Sequence, residues 1–186
     1  IVQVSPPDKQ GYVSLGVSVD IARSAVDSAK QIIALVNPKM PRTHGDGMIH
    51  TDRCDKMVFH DTELPEESYS SKVGANELKI GKFIADMIDD GSTLQMGIGT
   101  IPDAVLSLLG NHKNLGVHTE MMSDGVISLI ETDVINNRKK KIHPNKSVTS
   151  FALGTKKLYN YVDDNPSVVF LDIDYVNSPQ VIQRNP

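Results

Sequence analysis

Cysteine, tryptophan and long apolar runs are what this sequence has least of. Its 186 residues include one cysteine, Cys54, and no tryptophan. A single cysteine cannot form an internal disulfide, which indicates a protein of the reducing cytoplasm rather than a secreted scaffold. No run approaches the roughly 18 consecutive apolar residues that mark a membrane span, and no basic start followed by an apolar stretch indicates a signal peptide. We therefore expect a cytoplasmic protein with no membrane partner.

An excess of positive charge is also missing. The 19 Lys and Arg residues are outnumbered by 23 Asp and Glu residues, which gives a net charge of −4 and a pI of about 5.8. Proteins that bind nucleic acid usually present a basic surface to the phosphate backbone. A nucleic-acid partner is therefore not expected.

The composition that remains is that of a folded protein. Hydrophobic residues make up 39% and charged residues 23%, values that exclude disordered and fibrous classes. The length allows one ordinary domain or parts of two. The chain opens in a strand-like run, Ile1-Val2-Gln3-Val4, without an initiating methionine or a polar tail. We interpret it as a fragment of a larger protein.

Short apolar runs alternate with helical patterns along the chain. The runs predict strands near residues 32–36, 93–97, 115–119, 148–153 and 168–173, and the periodic segments predict helices near 77–90 and 102–109. One face of the first of these helices is expected to pack into the core: Ile80, Phe83, Ile84, Met87 and Ile88. This alternation predicts an α/β fold with mainly parallel sheets.

The composition changes between residues 61 and 75, where acids, serines, Pro65 and Gly74 replace the apolar runs. Such a stretch is typical of a linker between domains. We therefore predict that residues 1–65 are the C-terminal part of a first α/β domain and that residues 66–75 are a linker. Residues 76–186 are then the N-terminal part of a second α/β domain.

A glycine-containing loop joins a predicted strand to a predicted helix. Its sequence is Gly97-Ile98-Gly99-Thr100-Ile101, followed by Pro102 at the expected first position of the helix. Two glycines let backbone amides approach a ligand, and a helix N-terminus favours a phosphate, a carboxylate or a developing oxyanion. A tight turn that needs glycine for steric reasons accounts for the same residues, and both interpretations stay open.

Glu120 follows the next predicted strand. Ligands of open α/β sheets lie beyond the carboxyl ends of the strands, so Glu120 and the glycine loop are expected to share one crevice. A carboxylate there can act as a base, a nucleophile or a hydrogen-bond acceptor, or it can be a solvated side chain at a strand end. His118, two residues earlier on the same strand face, could hold or tune Glu120 or be a satisfied strand histidine.

A dinucleotide site is the competing interpretation of the same segment. The dinucleotide fingerprint requires G-x-G-x-x-G after a strand and an acidic residue about 20 positions later. Gly97, Gly99 and Glu120 satisfy part of this pattern, but Pro102 stands in place of the third glycine. A dinucleotide-binding oxidoreductase therefore stays as the alternative of a different class.

Several motifs, taken in order, resemble the acetyl-CoA hydrolase/transferase family, in particular its 4-hydroxybutyrate CoA-transferase and butyryl-CoA:acetate CoA-transferase branch. The motifs are Val4-Ser5-Pro6-Pro7-Asp8, Gly11-Tyr12-Val13-Ser14-Leu15-Gly16-Val17-Ser18, Met40-Pro41-Arg42-Thr43-His44-Gly45-Asp46, the loop at 97–102, His118-Thr119-Glu120-Met121 and Ser123-Asp124-Gly125. The resemblance runs through nearly the whole chain. It implies two CoA-transferase-type α/β domains, of which this chain spans the junction.

The resemblance also implies a ping-pong transfer of CoA between an acyl-CoA and a short-chain carboxylate. Glu120 corresponds to the family's catalytic glutamate, which carries a glutamyl-CoA thioester, and Gly97, Ile98, Gly99, Thr100 and Ile101 correspond to its CoA-binding segment. Coenzyme A is then a substrate, with no tightly bound cofactor and no metal, and the intact protein is expected to be a homo-oligomer. Thioester hydrolysis, in which water accepts the acyl group, is the variant within the family.

Three other groups of polar residues are candidates for a functional site. His44, Asp46, His50 and Asp52 lie close together, but without an H-E-x-x-H pattern or paired cysteines they indicate a substrate-facing loop rather than a metal site. The basic run Arg138–Lys141 is expected to be solvated surface, with a contact to CoA phosphates as the alternative. Cys54 lies in a loop without a neighbouring base and is not expected to be a catalytic thiol.

Overall fold

A computed structural model describes all 186 residues, Ile1–Pro186. It contains ten strands and seven α-helices. The strands are β1 (Val2–Val4), β2 (Tyr12–Ser14), β3 (Ile33–Val36), β4 (His44–Gly45), β5 (Met48–His50), β6 (Lys56–Phe59), β7 (Thr93–Leu94), β8 (Gly116–Met122), β9 (Ser147–Ala152) and β10 (Val168–Phe170). The helices are α1 (Asp20–Ser28), α2 (Ala75–Ala85), α3 (Thr100–Leu108), α4 (Gly125–Glu131), α5 (Lys156–Val162), α6 (Ile173–Val176) and α7 (Pro179–Ile182).

The strands form two parallel sheets and one antiparallel pair. The larger sheet has five strands in the order β4-β10-β9-β8-β7, and the smaller has the order β1-β3-β6. Every pairing within these two sheets is parallel, whereas β2 pairs with β5 in the antiparallel sense. The predicted α/β fold with mainly parallel sheets is therefore confirmed.

The register of β7 and β8 decides whether the glycine loop and Glu120 can meet. Thr93 lies opposite Gly116, and Leu94 lies opposite Val117. The predicted strands at 93–97 and 115–119 are thus neighbours in one sheet, as expected. Because the pairing is parallel, the loop leaves β7 toward the same edge of the sheet as the end of β8.

Several predicted boundaries are wrong. β7 stops at Leu94, because the chain leaves the sheet before the glycine loop. β8 continues through Met122, beyond the predicted end at 119. The predicted strand at 168–173 ends at Phe170, and its last predicted residue starts helix α6. Within the segment predicted as a substrate-facing loop, which carries His44 and His50, the chain forms β4, which pairs with β10, and β5, which pairs with β2.

The apolar face predicted for helix α2 is not its buried face. Phe83 is 73% exposed and Met87 is 81% exposed, whereas Gly81 and Ala85 are buried. A Cβ atom on Gly81 would lie only 3.1 Å from the backbone of Ala104 in α3. The two helices therefore pack through small residues that allow close approach, and this contact turns the large apolar side chains outward.

The main core joins both halves of the chain. One cluster of 26 buried apolar residues includes Val4 and Ala34 from the first sheet together with Leu106, Val117 and Phe170 from the second part. The division into a first domain part (1–65), a linker (66–75) and a second domain part (76–186) stays a prediction. Both predicted domain parts contribute residues to this core. None of the helices is long and apolar enough to cross a membrane.

Candidate active site

Glu120 lies inside strand β8, two residues before the strand ends at Met122. The prediction that Glu120 follows the end of the strand is therefore wrong, because the strand continues for two residues beyond it. Alternation along the strand puts His118 and Glu120 on one face, while Thr119 points to the other. The side chain of Glu120 is half-buried, whereas its strand neighbours are buried. A carboxylate is thus presented at the surface of an otherwise buried strand.

One oxygen of this carboxylate is held by an amide. The Nδ2 atom of Asn177 donates a hydrogen bond to Oε2 of Glu120 at 2.7 Å. The other end of the same amide, Oδ1 of Asn177, accepts a hydrogen bond from Nε2 of Gln95 at 3.2 Å. Gln95 directly follows β7, and Asn177 directly follows α6, so three segments converge on one carboxylate.

The glycine loop is tied to the same strand by a side-chain hydroxyl. Oγ1 of Thr119 accepts a hydrogen bond from the backbone N–H of Met96 at 2.8 Å and donates one to its carbonyl at 3.0 Å. These two bonds replace the backbone pairing that ended at Leu94. Met96 immediately precedes Gly97, so the loop starts beside the residue next to Glu120. The structure therefore places the start of the predicted loop beside the strand that carries Glu120, and the contact is made by Thr119 on the opposite face of that strand.

Gly99 supplies the backbone conformation that starts helix α3. It is the N-cap residue, with φ of 127° and ψ of −172°, a region that only glycine populates freely. Gly97 has no positive φ, and a Cβ atom there would meet only Cγ of Pro102, at 3.8 Å. The helix begins at Thr100, so Pro102 is its third residue. The prediction that Pro102 is the first residue of the helix is therefore wrong.

The loop is open on its outer side. Gly97 is exposed, and Ile98 is 59% exposed. An apolar cleft of about 200 Å³ borders the loop between α2, α3 and β7, with Met96, Ile101 and Pro102 among its lining residues. The exposed part of the loop therefore has an apolar surface beside it.

His118 does not contact Glu120. Its Nε2 atom lies 3.0 Å from the carbonyl oxygen of Val176, and its Nδ1 atom is buried without a partner. Because a carbonyl only accepts, Nε2 carries the proton. Burial lowers the pKa of His118, against the opposing effect of the bond to Val176, so the imidazole is neutral. Of the two interpretations, direct holding of Glu120 by His118 is wrong.

The segment after β8 is held by two carboxylates. Ser123 donates a hydrogen bond to Oδ1 of the buried Asp103 at 2.7 Å, and burial raises the pKa of Asp103. Asp124 accepts hydrogen bonds from the backbone N–H and the hydroxyl of Thr155, both at 2.8 Å. These contacts join the start of α4 to α3 and to the N-cap of α5, and they fix the turn that follows Glu120.

The remaining polar candidates lie apart from this carboxylate's contacts. His44 is 3.1 Å from Asp164, and His50 is 3.2 Å from Asp52. No group of three or more His, Cys, Asp or Glu side chains is arranged to hold a metal ion. Burial raises the pKa of the half-buried Cys54 thiol, which disfavours the reactive thiolate.

One residue of the basic run is not solvated surface, contrary to prediction. Lys140 is only 4% exposed, and its ammonium donates hydrogen bonds to the carbonyls of Val117 at 2.6 Å and Lys146 at 2.7 Å. Burial lowers its pKa to about 7. Its neighbours Lys139 and Lys141 are exposed as expected. The strand that carries Glu120 is thus braced by a buried lysine.

Sequence reasoning missed Asn177 and Gln95. Gln95 lies two residues before Gly97, and Asn177 lies on the connection after β10, a strand of the same parallel sheet. The rule that ligands lie beyond the carboxyl ends of parallel strands could have drawn attention to polar residues after β10. It could not have selected Asn177 among its polar neighbours.

These features define an α/β protein with a carboxylate and a glycine loop at the carboxyl edge of one parallel sheet. Two family models match the sequence: the acetyl-CoA hydrolase/transferase N-terminal domain over residues 1–65, and the corresponding C-terminal domain over residues 154–186. The chain belongs to the acetyl-CoA hydrolase/transferase family.

Known proteins with similar sequences are CoA transferases by name. The 4-hydroxybutyrate coenzyme A transferase of Clostridium kluyveri is 52% identical over 185 residues, which are 100% of this chain and 43% of that protein. The succinyl-CoA:acetate/propanoyl-CoA:succinate CoA transferase of Fasciola hepatica is 48% identical over 188 residues, 100% of this chain and 39% of that protein. The chain therefore spans about two fifths of the length of these relatives.

A solved structure shares the fold at high similarity. The 4-hydroxybutyrate CoA-transferase of Porphyromonas gingivalis superimposes with a TM-score of 0.93 at 44% sequence identity, covering 98% of this chain and 46% of that one. The architecture described above is thus shared with a segment of that protein.

Proposed function

We propose that this chain is part of an acyl-CoA:carboxylate CoA-transferase in which Glu120 is the nucleophile. The observation that carries the proposal is the half-buried Glu120 carboxylate next to Thr119, whose hydroxyl holds the start of the glycine loop through Met96. A carboxylate nucleophile needs an accessible oxygen and nearby donors for oxyanions, and the backbone amides of the glycine loop are the proposed donors. The similar proteins are CoA transferases by name, which supports the same reaction class.

The proposed reaction has two halves. A Glu120 oxygen attacks the thioester carbonyl of the acyl-CoA, the C–S bond breaks, and the thiolate leaves with the electron pair, which gives a mixed anhydride. The thiolate then attacks the Glu120 carboxyl carbon, the anhydride C–O bond breaks, and the acid product departs as a carboxylate. The incoming carboxylate reverses both steps on the glutamyl-CoA thioester and leaves as its CoA ester. No proton, electron or metal is required, because a thioester is already activated.

The glycine loop would hold part of the CoA substrate. Residues Gly97 to Ile101 lead into helix α3, whose N-terminus offers free amide groups and the positive end of the helix dipole. Both features favour a phosphate or an oxyanion. The apolar cleft beside the loop suits the uncharged arm of the cofactor. Coenzyme A is therefore a substrate that is bound and released in each turnover, rather than a resident cofactor.

Short-chain carboxylates of the 4-hydroxybutyrate, butyrate and acetate type are the proposed acids. The identity of 52% to a 4-hydroxybutyrate transferase supports this class. The proposal also includes the domain division, with residues 1–65 and 76–186 in two α/β domains joined by residues 66–75. The intact protein is proposed to be a homo-oligomer in the cytoplasm. Hydrolysis differs from transfer only in that water attacks the enzyme-bound acyl group.

Chemical trapping of the covalent intermediate tests the proposal. The full-length protein is incubated with an acyl-CoA, reduced with borohydride, digested and analysed by mass spectrometry, which should locate a reduced side chain at residue 120. Glu120→Asp withdraws the carboxylate by one methylene and should lose most transferase activity, since a misplacement of about 1 Å can cost on the order of a hundredfold. Glu120→Gln should lose nearly all activity and give no reduced product.

Glu131→Gln is the matched control, because Glu131 is exposed on α4 and contacts only Lys157. It should behave as the wild type. Transfer at the wild-type rate by Glu120→Gln, after mass analysis has excluded deamidation to glutamate, would show that covalent catalysis by Glu120 is wrong. Specific binding of NAD(H) would instead favour the oxidoreductase alternative.

A further inference from the structure

Two buried hydroxyl groups attach the two ends of the glycine loop to the segment that carries Glu120. We infer that Thr119 and Ser123 are positioning residues, which fix where the amides of the loop lie relative to the Glu120 carboxylate. This inference rests on the proposed function, because it treats the loop as the source of donors for the oxyanions. Both residues act through the loop, and neither needs to touch the substrate.

The first attachment lies at the start of the loop. Oγ1 of Thr119 is 2.8 Å from the backbone nitrogen of Met96 and 3.0 Å from its carbonyl oxygen. The backbone pairing of β7 with β8 ends at Leu94 and Val117, so this side chain holds the chain where the sheet no longer does. Thr119 is fully buried, and its branched Cβ restricts χ1. The position of Met96 therefore follows the backbone of β8.

The second attachment lies just after the loop. Asp103 follows Pro102 in the early part of α3, and the Ser123 hydroxyl donates a hydrogen bond to its Oδ1 at 2.7 Å. Both side chains are buried, and a hydrogen bond is stronger in such surroundings than in water. Ser123 directly follows the last residue of β8, Met122. The far end of the loop is therefore also fixed relative to this strand.

Glu120 lies between the two attachments in the sequence. Thr119 immediately precedes it, and Ser123 comes three residues later. Side chains alternate along a strand, so Thr119 points away from the face that carries the Glu120 carboxylate. The attachments thus share the backbone of the nucleophile and leave its own face of the strand to other groups.

Between the attachments the loop has few contacts of its own. The backbone N–H groups of residues 97–99 donate no hydrogen bond within the protein, and no atom lies within 4 Å of the position that a Cβ on Gly99 would take. Where these amides lie therefore depends on the residues that hold the two ends. Oxyanion donors act only when they are held in place before the reaction, and a misplacement of about 1 Å can cost on the order of a hundredfold in rate.

The experiment compares Thr119→Val, Thr119→Ser and Ser123→Ala in the full-length protein. The matched control is Ser147→Ala. Ser147 is a buried serine at the amino end of β9, and its hydroxyl accepts a hydrogen bond from the Asn137 amide at 3.1 Å. Steady-state transfer and the rate at which the borohydride-reducible thioester forms are measured with one acyl-CoA. Urea denaturation shows that each variant is folded under the assay conditions.

Thr119→Val keeps the size of the side chain and removes the hydroxyl. It should lower kcat and the rate of thioester formation on the order of tenfold to a hundredfold, with KM for the acyl-CoA within about threefold, because the lost interaction acts in the transition state. Thr119→Ser keeps the hydroxyl and should restore kcat to within about threefold of the wild type. Ser123→Ala should lower kcat as Thr119→Val does, and it tests the inference even if Thr119→Val fails to fold. Ser147→Ala should keep the wild-type kcat.

The inference is overturned if either Thr119→Val or Ser123→Ala, when folded, keeps the wild-type kcat, or if the losses lie entirely in KM. It is also overturned if Ser147→Ala loses as much kcat, or if Thr119→Ser is no more active than Thr119→Val. These results would leave the proposed function intact, provided the wild type gives the reduced product at residue 120. Absence of that product in the wild type would overturn the proposed function and this inference together.

Discussion

Replacing Gly99 with alanine separates a backbone requirement of the glycine loop from a ligand contact. Gly99 has φ of 127° and ψ of −172°, and holding a residue with a side chain in such a conformation costs about 1–3 kcal/mol. No atom lies within 4 Å of the position that a Cβ would take, so the cost arises from the backbone alone. Alanine also restricts the unfolded chain, which recovers about 0.4–1 kcal/mol. The net loss in the free energy of unfolding should therefore be about 1–2 kcal/mol.

Gly97→Ala is the matched control for this substitution. Gly97 has no positive φ, and its added Cβ would meet only Pro102 at an ordinary contact distance of 3.8 Å. The free energy of unfolding should therefore not fall. If the loop lies against CoA, the methyl group should displace the ligand and remove about one hydrogen bond, which weakens CoA binding about tenfold.

The two quantities are measured by urea denaturation and by calorimetric titration with CoA. We expect Gly99→Ala to lose stability and Gly97→Ala to lose affinity at unchanged stability. Equal stability of Gly99→Ala and wild type would show that the loop tolerates a side chain at its N-cap. Unchanged CoA affinity in Gly97→Ala would reduce the loop to a turn and remove it from the proposed binding site.

Two further predictions concern the elements that brace the site. Burial lowers the pKa of Lys140 to about 7 from 10.5, so above pH 7 the unfolded chain binds a proton that the folded chain has released, and stability rises with pH. The free energy of unfolding, measured by urea denaturation, should rise by about 2 kcal/mol between about pH 7.5 and about pH 9. Lys140→Met should remove this rise, whereas the control Lys141→Met should keep it. A flat profile in the wild type would mean that the two carbonyls keep Lys140 charged. Asp124→Ala removes two hydrogen bonds to Thr155, and it should lower the free energy of unfolding by about 2–4 kcal/mol. The control Glu131→Ala loses only an exposed ion pair, and it should lower the free energy of unfolding by less than about 1 kcal/mol. Equal losses in these two variants would contradict the bracing role of Asp124.

The part of the fold that depends on neighbouring residues in the chain could be predicted from local sequence patterns. The short runs at 32–36, 115–119 and 148–153 predict β3, β8 and β9 from their own residues, because short runs rich in apolar and β-branched side chains favour buried strands. The parallel sheet followed from the alternation of strands and helices. The need for glycine at position 99 is likewise a local matter, because it depends on the conformation of one residue.

The sequence by itself therefore determined the alternation of the main strands and helices, the family resemblance and the candidates Glu120 and Gly97 to Ile101. Tertiary structure decided which side chains meet. Asn177 lies 57 residues from Glu120 in the chain, and nothing near it in the sequence distinguishes its amide from those of other asparagines. Lys140 looks like part of a solvated basic run, and it is buried only because β8 and the chain at Lys146 offer it two carbonyls. Burial and hydrogen-bond partners depend on packing between distant segments, which periodicity and composition do not encode.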